Sequence, residues 1–152
     1  MDRVKFRRWE LCTDREATQE AYRRIHQGGP ETCDCAYCRN FVAARERVYP
    51  KKVLELFDAL GIPFNKEVEV YELGRLGSGF RLYGGWFHCF GQVEVADTPV
   101  SDFDLQDGMA PFELSFHARP SLVPDCFQGS PLIQVEFHAQ APWVLEEIEP
   151  ST

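Results

Sequence analysis

Up to Gly61 the apolar residues recur at helical spacing, and beyond it they alternate with polar ones. Thr13-Asp14-Arg15-Glu16 has the form of a capping box, in which the Thr hydroxyl and the Glu carboxylate each satisfy a free backbone amide. It predicts a helix over about 14–27, with Ala17, Ala21, Tyr22 and Ile25 at helical spacing, ended by Gly28-Gly29-Pro30. A second helix is predicted over about 36–48, with Phe41, Val42 and Ala44 or Arg45 around its inner side. Pro50 breaks it and opens a third, KKVLELFDAL, which turns Val53, Leu54, Leu56, Phe57 and Leu60 inward and stops at Gly61. Ahead of the helices, residues 3–11 alternate loosely and read as an edge strand.

Beyond Gly61, strands are predicted at Val68–Tyr71, Phe80–Tyr83, Trp86–Val95, Phe112–His117 and Leu132–Ala139, separated by Gly, Pro or Asp. Gly74-Arg75-Leu76-Gly77-Ser78-Gly79 lacks the Lys-Ser or Lys-Thr of a phosphate loop and reads as a hairpin turn. Helices first and strands afterwards imply an α+β fold, an N-terminal segment of about three helices packed on a C-terminal, mostly antiparallel sheet. The chain reads as one globular domain, with residues 1–62 mainly helical, 63–145 mainly β, and 146–152 a frayed acidic tail after Trp143.

Between the first two predicted helices lies Cys33-Asp34-Cys35-Ala36-Tyr37-Cys38, which holds half of the six cysteines. A tight turn can bring thiols at C-x-C-x2-C onto one ion, and zinc takes four such ligands in a tetrahedron. These six residues resemble the three-cysteine part of small zinc knuckles, a resemblance that implies a fourth ligand from a distant segment and carries no function with it. Cys12 and His26 rank first for that place, ahead of His88, Cys89 and Cys126. The alternatives are free small residues, an oxidised pair, or a redox Cys35-Ala36-Tyr37-Cys38 whose first thiol sits at a helix start. The strand that precedes such a motif in thioredoxin-like units is missing.

A second constellation follows from strand parity. Glu113, Ser115 and His117 share one side of their strand, and Gln134, Glu136 and His138 share one side of theirs. If the two strands pair, His117, His138 and Glu136 become candidates for acid–base catalysis or metal binding, set against the plainer reading of a solvated sheet face. Asp102, Asp104, Asp107 and Glu113 approach calcium-loop spacing, but Asp107 stands where that loop needs Gly.

Composition narrows the classes of function. The net charge of -8 conceals twelve Lys or Arg against eight Asp or Glu in residues 1–52, and four against sixteen afterwards. A basic half can serve nucleic acid, or it can simply complement the acidic half; the second reading makes nucleic acid an unexpected partner. No apolar run approaches the roughly 20 residues that span a bilayer, and no apolar segment follows the basic start, so a soluble cytoplasmic protein without a membrane partner is expected. In that compartment clustered thiols favour metal over disulfides. The leading expectation is a zinc-stabilised binding or structural module for a protein partner. A metal-dependent or hydrolase-like enzyme using the His/Glu cluster, and a nucleic-acid binder, are the alternatives.

Overall fold

A computed structural model describes residues 1–103 and 111–151; the calcium-like spacing therefore runs partly outside the described residues. Among the described residues six strands form one antiparallel sheet: β1 (Asp2–Phe6), β2 (Trp9–Thr13), β3 (Glu69–Arg75), β4 (Arg81–Val95), β5 (Phe112–His117) and β6 (Leu132–Ala141). Their order is β1-β2-β4-β6-β5, with β3 beside β4. Three α-helices, α1 (Arg15–Arg23), α2 (Ala36–Ala44) and α3 (Lys51–Leu60), lie between β2 and β3 in the chain. The fold is α+β as expected, but the helices do not come first. They are an insertion into the sheet, because β1 and β2 form a hairpin whose second strand pairs with the far end of β4. No helix among the described residues is long and apolar enough to cross a membrane.

Four further boundaries differ from the pattern. Phe80–Tyr83 and Trp86–Val95 are one strand, β4, because Gly84-Gly85 is not a turn. The Tyr71 ring lies against Gly84, and the Phe137 ring and the Glu69 carbonyl lie against Gly85, so both positions lack room for a side chain. At α1 the cap is Asp14, whose carboxylate accepts from Ala17 N at 3.0 Å. Thr13 stays in β2, paired with Asp2 and Gly91, and its buried hydroxyl has no partner among the described residues. The helix also ends earlier than Gly28, and α2 passes at Ala44 into a 3-10 turn over Arg45–Arg47. Gly61 ends α3 with φ 82°, the left-handed cap the sequence called for.

Phe41 of α2 and Tyr49 and Phe57, on and before α3, pack on the inner face of the sheet. Ring centroids lie 4.8 Å apart for Phe57–Phe87 and 5.4 Å for Tyr49–Phe137. α1 does something different. β3 leaves β4 at Trp86 and β2 joins it at Gly91, so residues 88–90 present an open strand edge. Side chains of α1 close it: the Tyr22 hydroxyl accepts from His88 N and donates to His88 O, both at 2.9 Å, and Thr18 Oγ1 accepts from Phe90 N at 3.0 Å. Asp14 N completes the edge by donating to Phe90 O.

The insertion is fastened by buried polar groups. Arg45 makes two bonds to the Glu67 carboxylate, at 2.9 and 3.2 Å, and a third to Glu31 at 2.8 Å. Tyr49 donates to the same Glu67 carboxylate at 2.7 Å, and Gly29 N donates to Glu67 O. Asn40, fully buried on α2, donates to Pro142 O and Tyr83 Oη and accepts from Val144 N. The segment after β6 is held further along than Trp143: Arg81 bonds Glu149 and Pro150 O at 3.0 Å each, and Arg39 bonds Glu147.

Candidate metal centre

Gly28-Gly29-Pro30 does more than stop a helix. Gly29 opens a 3-10 turn, Gly29–Thr32, and its Cα lies so close to the Val68 backbone that a Cβ would collide with it. Thr32 Oγ1 closes the turn on Gly29 O at 2.7 Å. Cys33 leaves it in extended conformation, and Cys35, also extended, is the N-cap of α2, its sulfur accepting from Cys38 N at 3.4 Å. Cys38 stands one turn into the helix on the same side. The motif is thus a short extended arm lying over a helix start, the local shape that C-x-C-x2-C requires.

The three sulfurs lie within 4.8 Å of one another, and Cys33 to Cys35 is 3.3 Å. Tetrahedral zinc with Zn–S near about 2.3 Å separates its sulfurs by about 3.8 Å. The Cys33–Cys35 separation is shorter than that value and the others do not exceed 4.8 Å, a set close to what an ion needs. Cys35 is exposed, Cys33 half-buried and Cys38 buried. Their acidities diverge accordingly: the Cys35 backbone amide and the neighbouring sulfurs lower the Cys33 thiol, while burial, then hydrogen bonds with Cys33 and Cys35, raise that of Cys38.

Among the described residues, no other group of three or more His, Cys, Asp or Glu converges this way. Cys12 sits in β2, in register with Arg3 and Gln92, and His26 is exposed after α1. Neither belongs to the convergent set. His88 is buried with its Nε2 on Gln134 Oε1 at 3.1 Å, and Cys89 is in the core, its thiol pushed up to about 12 by burial. Cys126 lies in the 3-10 turn Asp125–Phe127. Compared with protein-family models, curated proteins and solved structures, the chain matches none.

The sheet constellation forms, with the two strands paired as the parity reading requires. β5 and β6 pair with Glu113 opposite His138 and Ser115 opposite Glu136. His138 Nδ1 meets Glu113 at 3.5 Å, and His117 Nε2 meets both Glu136 at 3.1 Å and Ser115 Oγ at 2.9 Å. A nucleophile–base relay needs the hydroxyl and the carboxylate on opposite ring nitrogens. Here both meet Nε2, with the His117 side chain 46 % exposed, so the carboxylate competes with the hydroxyl instead of orienting its base.

Among the described residues, four of the twelve basic residues in positions 1–52 pair with the acidic half. Arg7, Arg15, Arg39 and Arg45 pair with Asp102, Asp58, Glu147 and Glu67 respectively. Arg39 is the neighbour of the thiols that sequence reasoning passed over: it donates to Asp34 O at 3.1 Å and to Glu147 at 2.6 Å, bracing the arm against the C-terminal segment. Its position directly after Cys38 was the available signal.

Proposed function

We infer that this chain is a metal-binding module carrying one zinc ion on Cys33, Cys35 and Cys38. The convergence of the three sulfurs at the start of α2 carries this reading. Thiolates select soft or borderline ions, and zinc imposes no geometry of its own beyond the tetrahedron these spacings approach. A reducing compartment such as the cytoplasm keeps the thiols available. The ion orders the arm from Pro30 to Cys38 against α2 and presents it to a protein partner. It is not asked to hold the insertion on the sheet, since Arg45, Glu67, Tyr49 and Asn40 already do so.

Elemental analysis of untagged protein purified under reducing conditions without chelators tests this reading. About one equivalent of zinc is expected, and Cys38→Ser should abolish retention through gel filtration. Protein free of metal after incubation with excess zinc and desalting would remove the reading.

A further inference from the structure

The zinc reading leaves one coordination place to be filled, and the surroundings of the thiols say from where. Every His, Cys, Asp and Glu among the described residues was a candidate donor, and only three sulfurs converge. The thiols are also graded by exposure, from buried Cys38 through Cys33 to exposed Cys35, so the open side of the set faces solvent and not the core. The N-terminus of α2 borders it, the Cys38 amide donating to the Cys35 sulfur, while the Arg39 guanidinium beyond is taken up by Asp34 O and the Glu147 carboxylate. An ion held by three thiolates takes a further soft sulfur donor in preference to an oxygen.

We propose that the fourth donor is a thiolate from outside the chain, and that the site exchanges its ion with thiol partners through that open place. This rests on the metal reading above. The incoming thiol loses its proton to solvent as a sulfur lone pair forms the bond to the metal. Cys35, the most exposed ligand, then departs with its electron pair and takes up a proton. Neither sulfur nor metal changes oxidation state, and a further exchange at Cys33 leaves buried Cys38 as the last hold.

Cobalt(II) is the probe, loaded into the full chain in thiol-free buffer with a phosphine reductant. Addition of glutathione should raise the sulfur-to-cobalt charge-transfer absorbance by about a third, as three thiolates become four. Transfer of zinc to a chromophoric chelator should accelerate in proportion to glutathione concentration. Cys12→Ser and His26→Ala should each keep both responses. If the four-thiolate spectrum instead develops with protein concentration, together with a dimer in sedimentation, the donor is a cysteine of a second copy and the external-thiolate proposal stands. An absorbance and a transfer rate both indifferent to glutathione would overturn it, as would a fourth donor lost in Cys12→Ser or His26→Ala. Protein that binds no cobalt would remove the metal reading itself.

Discussion

The helical insertion contains two polar clusters close in sequence and opposite in design. At one, Arg45, Glu67, Tyr49 and Glu31 bond one another inside the protein, with the Glu67 side chain 0 % exposed. At the other, Cys33, Cys35 and Cys38 meet at the surface and supply three of the four donors that zinc takes. A buried charge must find its partners within the chain, because leaving it unpaired costs several kcal/mol. A surface cluster can leave a place open, because water or a passing ligand fills it at small cost. The first cluster is therefore the fastening and the second is free to do chemistry, the reverse of what cysteine spacing alone suggests.

The contrast is broken most directly at Glu67. Glu67→Ala should lower the unfolding free energy by about 3 kcal/mol, because it leaves the buried Arg45 guanidinium with only the partly exposed Glu31 carboxylate as its ionic partner. Denaturant titration of the metal-free protein measures this. The double variant Arg45→Met/Glu67→Leu should recover most of that loss, since no buried charge then remains. A loss as large as that of the single variant would mean the pair itself, and not the stranded charge, carries the stability.

His88 extends the same rule to a neutral buried group. Burial holds its pKa below the ordinary 6.5, and Nδ1 has no partner among the described residues. The unfolded chain therefore binds a proton more readily than the folded one. Stability is fully present above pH 6.5 and declines as pH falls from there toward the lower folded-state value. In His88→Leu that decline should be missing, so that it appears as the difference between the two proteins' curves, measured by denaturant titration at a series of pH values.

The surface cluster should barely register without metal. Cys35→Ser is expected to change the stability of the metal-free protein by less than about 0.5 kcal/mol, while lowering zinc affinity in chelator competition. Arg39→Ala, at a pair whose side chains are 49 % and 43 % exposed, should fall within about 1 kcal/mol of wild type by thermal melting in metal-free buffer. A large loss in either would place the arm among the fastenings.

Periodicity and punctuation made much of the fold readable in advance. α3 with its Gly61 cap, the hairpin after Gly74 and the parity of β5 and β6 all follow from local rules that tertiary contacts reinforce. What sequence hid was set by distant partners. Gly84-Gly85 resembles a turn until Tyr71 and Phe137 are seen against it. Helical spacing leaves Ala44 and Arg45 as alternatives for the inner side, and the partner that lets Arg45 be buried with its charge, Glu67, lies twenty-two positions away. Thr13 and Asp14 compete for one cap, and the pairing of Thr13 with Gly91 decides between them. The thiol cluster was legible because its geometry is contained in six residues; the grading of its exposure was not.

The closure of β4 by α1 bears on how this protein behaves in company. Strand edges with unpaired amides and carbonyls are where one molecule's sheet extends into another's. Residues 88–90 would be such an edge in the middle of the longest strand, carrying the apolar Cys89 and Phe90 next to Phe87, yet the phenol of Tyr22 and the hydroxyl of Thr18 occupy it. α1 thus takes up the amides and carbonyl through which another strand would have to pair. Conditions that loosen this helix before the sheet melts should lead to aggregates that grow from the centre of the molecule.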